Sequence, residues 1–413
     1  MKDKKIEALI KKEVKRQQLT IDLIASENYA SKEVLQVLGS PLQNKYSEGY
    51  PGKRYYPGNA IYDEIECLAQ DRARAVFGLK AEEWGVNVQV FSGSPANIAV
   101  YVGLVPPGET IMGMGLSFGG HLSHGHPVSL SGRLWRAVHY SVNAETGLID
   151  YDAVRALAQK EKPKVLVSGF TAYPRQVDFK RMGEIAHEVG AYHLADISHI
   201  SGLVAAGIHP SPFPHADVVM TTTHKTLRGP RGAVIFSRCS TEPEKNLSAK
   251  IDKAVFPGLQ GGPHNNVTAA KAVAFFEALQ PSFKKYQQQI VKNAKALAKE
   301  FIARGFPLLS GGTDTHLMLL DMRRFNIDGK SAEERLELAG IVANRNSLPG
   351  DDKPLKPSGV RVGTPPVTTR GMKEKEMFRI AEFFERLFVR GENPASVKKD
   401  VEKLCKKFPL PYK

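Results

Sequence analysis

The feature that most limits the possible folds of this chain is a long alternation between residues 60 and 240. Helical stretches in this region are separated by short runs of β-branched and other apolar residues, such as residues 164–168 and 233–236. Strands that alternate with helices favour a mostly parallel sheet with helices on both faces. We therefore predict an α/β fold. A length of 413 residues, 42% of them hydrophobic, allows more than one domain.

The two ends of the chain differ from this alternating region. Residues 1–40 are predicted to form an N-terminal helical arm. Residues 283–302 carry one apolar stripe at helical spacing, and Gly305 is well placed to end that helix. The helix is expected to lead into a smaller domain that contains the apolar run 316–321. The predicted domains are the arm at 1–40, a large α/β domain at 41–280 and a small C-terminal α+β domain at 281–413.

A single lysine, Lys225, follows the apolar run 218–220 and a cluster of threonines, and it precedes a turn with two arginines and two glycines. An amine at the end of a buried strand is poorly solvated, so it can be neutral and nucleophilic near neutral pH. Such an amine forms a Schiff base with an aldehyde cofactor, and the hydroxyls, arginines and backbone N–H groups around it suit a phosphate. The alternative is a strand that ends in a solvated basic turn.

A carboxylate and a histidine stand in a similar position upstream. Asp196 ends a predicted strand, and His199 follows three positions later. Open α/β sheets bind ligands at the carboxyl ends of their strands. Pyridoxal phosphate needs an acidic partner for its pyridine nitrogen, because the protonated ring withdraws electrons from a carbanion. Asp196 and Lys225 are in the order expected for that cofactor, whereas the alternative is a helix-capping aspartate with a surface histidine.

A third segment is predicted to run from a strand at residues 89–91 through Ser92, Gly93 and Ser94 into a helix. Free N–H groups at a helix N-terminus bind phosphate. In the segment that follows, His121 stands among glycines and small residues, where its ring could lie flat against an aromatic cofactor. A structural role for this histidine is the alternative.

With further motifs, these segments make the chain resemble the serine hydroxymethyltransferase family of pyridoxal-phosphate enzymes. The motifs are spread over nearly the whole length and stand in the family's order. They lie at residues 23–28, 44–56, 119–122, 171–175, 196–207, 220–232, 256–263 and 358–365. The resemblance implies a fold-type I, aspartate-aminotransferase-like α/β architecture. It also implies the reversible conversion of serine and tetrahydrofolate into glycine and 5,10-methylenetetrahydrofolate.

The resemblance implies a role for single residues at the cofactor. Lys225 would hold pyridoxal phosphate as a Schiff base, Asp196 would pair with the pyridine nitrogen, and His121 would stack on the ring. His199 would contact the phenolic oxygen side of the cofactor. The other implied catalytic and cofactor positions are Thr171, Thr223, His224, Ser92, Gly93 and Ser94, with Tyr46, Gly261 and Gly262 from a partner subunit.

The resemblance also implies the residues that bind the substrates. Arg361 would clamp the substrate carboxylate with its planar guanidinium, assisted by Ser26. Glu48 from a second subunit would be the acid–base group near the substrate hydroxyl and the folate. The remaining implied substrate positions are Tyr46, Tyr56, Leu116, Gly120, Leu122 and Asn346. A homodimer with shared active sites is therefore implied, and a tetramer is left open.

The chain departs from the family pattern at a few places. Pro57 follows Tyr56 where glycine is usual, Phe118 stands where histidine is more common, and Ser198 stands where alanine is usual. Residues 264–266 replace a more apolar segment. None of these changes removes a principal catalytic residue, so they affect the fine shape of the folate pocket rather than the reaction class.

The composition of the chain limits its expected cellular location and its expected binding partners. Cys67, Cys239 and Cys405 have no metal or redox spacing, so we expect free thiols in a reducing cytoplasm and no bound metal. No run of eighteen apolar residues predicts a membrane span, and the N-terminus lacks an apolar signal core. The formal net charge of +14 is spread along the chain without an aromatic-interleaved basic motif, so nucleic-acid binding is not expected.

Two alternatives to the folate reaction stay open from the sequence. The first is a folate-independent pyridoxal-phosphate aldolase of the threonine-aldolase type, against which Glu48 and Asn346 count because such an aldolase does not need them. The second is a catalytic scaffold that binds RNA as a secondary activity. The intact Lys225, Asp196 and Arg361 count against a loss of catalysis, but they do not exclude RNA binding as a second activity.

Overall fold

The computed structural model describes residues 1–351 and 356–412, which form two compact units. The larger unit contains Ala30–Thr171 and Gln176–Gln287, and the smaller unit contains Met1–Tyr29, Ala172–Arg175 and Gln288–Lys413. The N-terminal segment thus groups with the C-terminal part of the chain. The domain limits at residues 40 and 280 stay a prediction.

The described residues form helices and strands in alternation. The helices are α1 Lys4–Leu19, α2 Lys32–Leu38, α3 Ala60–Phe77, α4 Gly93–Leu104, α5 Leu130–Leu134, α6 Tyr151–Glu161, α7 Phe179–Glu188, α8 Ser201–Ala205, α9 Leu247–Lys253, α10 Asn265–Ala278, α11 Pro281–Ala303, α12 Gly329–Leu338, α13 Pro365–Thr369, α14 Glu374–Phe388 and α15 Pro394–Lys406. The strands are β1 Ile21–Asp22, β2 Gly49–Tyr50, β3 Lys53–Arg54, β4 Trp84–Asn87, β5 Thr110–Met114, β6 Arg136–Tyr140, β7 Val165–Gly169, β8 Tyr192–Asp196, β9 Val218–Thr222, β10 Ala233–Arg238, β11 Leu317–Asp321, β12 Ile341–Val342, β13 Asn344–Asn346 and β14 Gly359–Gly363.

A seven-stranded sheet in the order β4-β10-β9-β8-β7-β5-β6 forms the centre of the larger unit. The neighbours from β9 to β6 pair in parallel, whereas β10 is antiparallel to both β9 and β4. All residues of β5, β7 and β9 are buried, as expected for a sheet that is covered on both faces. The predicted mostly parallel α/β sheet is therefore confirmed.

The strand predicted at residues 89–91 is wrong, because β4 ends at Asn87. Side chains supply most of the hydrogen bonds that a neighbouring strand would otherwise give this segment. The fully buried ammonium of Lys271 donates to the carbonyls of Val88 and Val90 at 2.6 and 3.1 Å. A backbone satisfied in this way is extended without belonging to the sheet.

The side-chain amide of Gln260 completes this arrangement. It accepts from the N–H of Phe91 at 3.1 Å and donates to the carbonyl of Gln89 at 3.0 Å. The chain then enters α4 at Gly93, so the predicted turn into a helix is present.

The smaller unit contains a three-stranded antiparallel sheet in the order β11-β14-β13, and β1 pairs in parallel with β12. Its core includes aromatic side chains of α11, α14 and the chain between them, such as Phe301, Phe306 and Phe384. The helix predicted at residues 283–302 is confirmed as α11. None of the helices in the described residues is long and apolar enough to cross a membrane.

A buried histidine makes the larger unit sensitive to acid. His193 is fully buried, and its Nδ1 donates to the carbonyl of His215 at 2.8 Å while its Nε2 lies 2.7 Å from Ser168 Oγ. Burial lowers the pKa of the His193 imidazole to about 4. A histidine in the unfolded chain titrates near 6.5. Between these two values the unfolded state binds more protons than the folded state, so stability falls as the pH falls.

We therefore expect the free energy of unfolding to be lower at pH 5 than at pH 7. His193 alone should contribute on the order of 2 kcal/mol to that difference. Urea unfolding at the two pH values measures it. The variant His193→Gln, which does not titrate in this range, should show a smaller difference, and an equal difference in both proteins would contradict the assignment.

Candidate active site

A cavity opens in the larger unit where three parallel strands end side by side. Gly169, Asp196 and Thr222 are the last residues of β7, β8 and β9. The predicted site residues that line the cavity are Ser92, Gly93, Ser94, His121, Thr171, Asp196, His199, His224 and Lys225. The lining also includes residues that were not predicted, namely His124, Phe170, Ser198, Thr222 and Arg231. Segments that are far apart in the sequence thus meet at the carboxyl edge of the sheet, where α/β folds bind ligands.

The carboxylate of Asp196 is held by several donors. Its Oδ2 lies 3.0 Å from His124 Nε2 and accepts from Asn97 Nδ2 at 3.0 Å. Its Oδ1 accepts from the backbone N–H and the hydroxyl of Ser198 at 3.1 and 2.5 Å. Asp196 is only 9% exposed, so these bonds fix the side chain in one orientation at the cavity wall.

Two opposing effects decide the charge of Asp196. Burial raises the pKa of this carboxyl, but the hydrogen bonds from His124 and Ser198 outweigh burial and hold the pKa well below its usual range. Asp196 is therefore an anion at neutral pH. A buried anion of this kind favours a positive charge placed against it.

Sequence reasoning missed the partners of Asp196. His124 lies three residues after His121, within the glycine-rich segment that was singled out, so the paired histidines were a usable signal. Asn97 had no such signal, because an asparagine in the second turn of a helix looks like any other polar residue. Ser198 was noted only as a departure from alanine. Its hydroxyl donates to Asp196 and accepts from the N–H of Thr222 at 3.0 Å, so the substitution adds a link between β8 and β9.

Lys225 lies just after β9, in a loop that folds back on itself. Its Nζ donates to Thr222 Oγ1 at 2.9 Å. The loop is closed by Thr223, whose N–H donates to the carbonyl of Gly232 at 3.0 Å and whose hydroxyl donates to the carbonyl of Pro230 at 2.6 Å. Thr223 is fully buried and does not line the cavity, so it shapes the loop that carries the lysine.

Two of the histidines that line the cavity, His121 and His224, are neutral at neutral pH. Burial lowers the pKa of His121 to about 4, with a smaller effect from His124. Burial also lowers the pKa of His224 to about 3, and the charges of Lys225 and Arg231 add to this. The Nδ1 of His121 accepts from the N–H of Ser123 at 3.1 Å, which places the proton on Nε2. A neutral imidazole of this kind can stack on an aromatic ring.

One end of the cavity suits an anion. Ser92 is the N-cap residue of α4, and within the described residues its side chain does not cap the helix. The N–H groups of the first turn therefore point out of the helix end, where the macrodipole favours negative charge. Gly93 is needed in this turn, because an added Cβ would lie 2.8 Å from the Thr222 methyl group. Arg231 and Lys225 add positive charge to the same cavity.

Other predicted residues form a second cluster in the larger unit. An added Cβ on Gly261 would lie 3.0 Å from Glu48 Oε1, and one on Gly262 would lie 3.2 Å from the Tyr46 ring. The rings of Tyr46 and Tyr56 contact edge to face, with centroids 5.3 Å apart. Within the part of the chain that the structure describes, none of these five residues lines the Lys225 cavity. They are the residues that the sequence assigned to a partner subunit, together with Tyr56.

The predicted folate positions Leu116, Gly120 and Leu122 lie in turns after β5. The side chains of Leu116 and Leu122 are 40% and 43% exposed. The hydroxyl of Thr171 donates to the carbonyl of Gly120 at 2.9 Å, which ties this region to the end of β7. Two large apolar side chains are thus held at the surface on a fixed backbone.

The remaining predicted residues belong to the smaller unit. Arg361 is in β14, where its Nε donates to Asn344 Oδ1 at 3.0 Å and its Nη2 donates to Ser26 Oγ at 3.4 Å. Burial lowers the pKa of Arg361 to about 10, and the charge of Glu27 opposes this effect. Asn346 ends β13, and its amide donates to the carbonyl of Ser347 at 2.7 Å. The predicted pair Arg361 and Ser26 is therefore brought together.

Comparison with known proteins agrees with this geometry. The model of the serine hydroxymethyltransferase family matches residues 1–384. The serine hydroxymethyltransferase of Desulfotalea psychrophila is 54% identical over 413 residues, which cover 99% of this chain and 95% of the relative. The chain belongs to the serine hydroxymethyltransferase family. It therefore has that family's fold-type I architecture and activity, the interconversion of serine and glycine with tetrahydrofolate and pyridoxal phosphate.

The cavity can be tested against the cofactor of serine hydroxymethyltransferases. Pyridoxal phosphate carries an aldehyde, a pyridine nitrogen and a phosphate. The cavity has an amine on Lys225, a buried anion on Asp196 and the uncapped N-terminus of α4. Each group of the cofactor has a complementary group on the wall, so the residues present fit it. The predicted cofactor and reaction are confirmed by family membership, whereas the roles of single residues stay predictions.

Proposed function

We propose that the Lys225 cavity is the place where the hydroxymethyl group of serine is removed and glycine is formed. The observation that supports this most is the buried, ionised carboxylate of Asp196, which lines the same cavity as the lysine amine. Pyridoxal phosphate, when bound, supplies the electron sink for the charge left on the substrate carbon. The residues of this chain bind, orient and exchange protons around it.

Lys225 would attach the cofactor through its amine and would take part in proton transfer at the reacting carbon. Asp196 keeps a proton on the pyridine nitrogen, because an anion fixed by His124, Asn97 and Ser198 stabilises a cationic neighbour. His121 would stack on the ring and His199 would contact its phenolic side. Ser92, Gly93 and Ser94 at the N-terminus of α4 would hold the phosphate, and Thr171 and His224 line the same cavity.

Arg361 binds the substrate carboxylate, with Ser26 beside it. Its guanidinium is buried and already oriented by Asn344, so little conformational freedom is lost when a carboxylate binds. The folate lies against Leu116, Gly120, Leu122 and Asn346. Exposed leucine side chains on a fixed backbone are suitable for the flat pterin ring.

Transfer of the one-carbon unit to tetrahydrofolate releases the serine hydroxyl oxygen as water, so a group that gives and takes protons is needed there. We propose that Glu48 of the partner subunit is this group, with Tyr46 of the partner subunit and Tyr56 beside it. The support is that Glu48 and Tyr46 lie close to Gly261 and Gly262, and that none of these four residues lines the Lys225 cavity of their own chain within the described residues. A homodimer with shared sites brings the two sets together, and a tetramer of such dimers is compatible with it.

We also propose a cytoplasmic location, since Cys67, Cys239 and Cys405 are free thiols.

The visible absorption spectrum of the purified protein tests this proposal. It should be recorded alone, with glycine, and with glycine plus tetrahydrofolate. A yellow protein that gains a strong longer-wavelength band only when folate is added supports cofactor, carbanion and folate sites together. A yellow protein that does not respond to folate would favour the threonine-aldolase type of reaction, and a protein that stays colourless after added pyridoxal phosphate would overturn the proposal.

A further inference from the structure

Hydrogen bonds from residues 54 and 55 hold the backbone around Glu48. The carbonyls of Ser47 and Gly49, on either side of Glu48, both accept from Nη1 of Arg54, at 2.9 and 2.6 Å. The carbonyl of Glu48 accepts from the N–H of Tyr55 at 3.1 Å. Three successive carbonyls are thus bound by residues 54 and 55, and two of them by one guanidinium.

Arg54 is itself held from its other side. Its Nε donates to Asp63 Oδ1 at 2.8 Å, and its Nη2 donates to Glu66 Oε2 at 2.7 Å. The side chains of Arg54 and Glu66 are each only 4% exposed. Both acceptors lie on α3, so the guanidinium connects the hairpin of β2 and β3 to a long helix.

The network continues towards the cavity. Gln89 Nε2 donates to the carbonyl of Gly49 at 2.9 Å and to Glu66 Oε1 at 2.8 Å. Gln89 belongs to the extended segment that Lys271 and Gln260 hold and that leads into Ser92. Hydrogen bonds therefore connect the hairpin that follows Glu48 to the segment that leads into Ser92 at the phosphate end of the cavity.

Stability alone does not account for this arrangement. Burying charged groups costs desolvation energy that their attraction often only offsets, so a buried ion pair is weak evidence for a stabilising role. In addition, two hydrogen bonds of the Arg54 guanidinium go to neutral backbone carbonyls, those of Ser47 and Gly49, rather than to carboxylates. Both carbonyls flank the same residue, which is the acid–base group of the proposed function.

We propose that Arg54 is a positioning residue for Glu48. Arg54 fixes the backbone on both sides of Glu48. The carboxyl group of Glu48 therefore occupies one position in the partner's cavity instead of sampling many positions. Glu66 and Asp63 fix Arg54 in turn. This proposal rests on the proposed acid–base role of Glu48, and it adds a residue that acts through Glu48 without touching the substrate.

The variant Arg54→Lys tests this, because lysine keeps the charge but cannot bond two carbonyls and two carboxylates from one planar group. We expect kcat with serine and tetrahydrofolate to fall roughly 10- to 100-fold, part of the 10²–10⁴-fold that a positioned acid–base group supplies. The KM for serine should stay within about threefold, since substrate binding is not what the variant removes. Amide hydrogen exchange in a peptide covering residues 46–56 should become faster, which is a readout independent of turnover.

A double-mutant cycle with Glu48→Gln separates positioning from general damage. If Arg54 acts through Glu48, the double variant is no slower than Glu48→Gln alone. If the two losses multiply, Arg54 has a purely structural effect and the proposal is wrong. Normal turnover in Glu48→Gln would instead refute the proposed function of Glu48 and, with it, the reason for positioning.

A matched control and a second variant keep the test decisive. Arg386→Lys alters another arginine that binds two carboxylates, those of Glu392 and Asp400, with a side chain that is 12% exposed, and it should leave turnover unchanged. If Arg54→Lys does not fold, Glu66→Gln replaces it in the same cycle. It removes the charge that holds Arg54 while keeping an oxygen for the hydrogen bond, and the same comparison with Glu48→Gln decides the outcome.

Discussion

The protein with Lys225 replaced by alanine should still bind pyridoxal phosphate but should turn over serine at least roughly 10³-fold more slowly, within the range for a group that combines covalent and proton-transfer roles. Binding should persist because the anion on Asp196, the N-terminus of α4 and Arg231 remain on the cavity wall. Turnover should be lost because the only amine that lines the cavity, within the described residues, is the one removed. Equilibrium dialysis with pyridoxal phosphate and steady-state assays measure the two effects.

Lys180→Ala is a suitable control for this variant. Its amine lies on the surface of α7 and contacts only Glu184 among the carboxylates described, at 3.9 Å. The control should keep both cofactor binding and turnover. Normal turnover in Lys225→Ala would contradict the assignment of the cavity, and a failure to bind the cofactor would show that the covalent link dominates binding.

The residues that could be predicted are those whose chemistry depends on where a strand ends. Asp196 and Lys225 follow apolar runs, and the carboxyl ends of neighbouring parallel strands must meet at one edge of the sheet. Their positions at β8 and just beyond β9 therefore follow from the sequence pattern alone. The roles of these residues came from the family motifs, because hydrophobic periodicity predicts helices and strands but not the function of a side chain.

The residues that could not be predicted act through long-range contacts. Lys271 binds the carbonyls of Val88 and Val90 from almost two hundred positions away, at 2.6 and 3.1 Å from its ammonium. The local sequence there is apolar and reads as a strand, so the prediction failed because a side chain took the place of a strand neighbour. Asn97 reaches Asp196 across 99 positions for a similar reason. Such contacts depend on the complete fold and leave no local pattern.

The residues assigned to a partner subunit are intermediate between the predictable and the unpredictable residues. Glu48 and Gly261 are near each other in one chain and do not line its described Lys225 cavity, and their service to a partner subunit stays a prediction. The hydrogen bonds from Arg54 to the carbonyls of Ser47 and Gly49 hold the loop around Glu48 from within the chain that carries it.

Replacing Asp196 by asparagine should have the second large effect. The amide nitrogen of asparagine is a donor, and whichever oxygen position it takes, it meets a donor of the wild-type site, from Asn97 on one side or Ser198 on the other. The anion that stabilises a protonated pyridine nitrogen is also lost. Breaking one side of a buried charge pair costs about 3–5 kcal/mol, which corresponds to a fall in kcat of roughly 10²- to 10⁴-fold.

The pH dependence of stability gives a second readout for Asp196→Asn that does not depend on the cofactor. Since the pKa of Asp196 is held below its usual range in the folded protein, this carboxylate stabilises the fold at pH values above the ordinary aspartate pKa near 3.9, and the effect is lost as the pH falls. The asparagine variant should therefore lose less stability on acidification than the wild type. Asp252→Asn is the control, because Asp252 is a half-buried carboxyl that accepts from Asn87 at 2.8 Å and does not line the cavity. Burial raises the pKa of Asp252 to about 6, so this carboxylate does not stabilise the fold at neutral pH as Asp196 does. The Asp252→Asn variant should therefore keep its turnover and should not lose less stability than the wild type on acidification. Equal turnover in the two asparagine variants would mean that the charge of Asp196 is not used in the reaction.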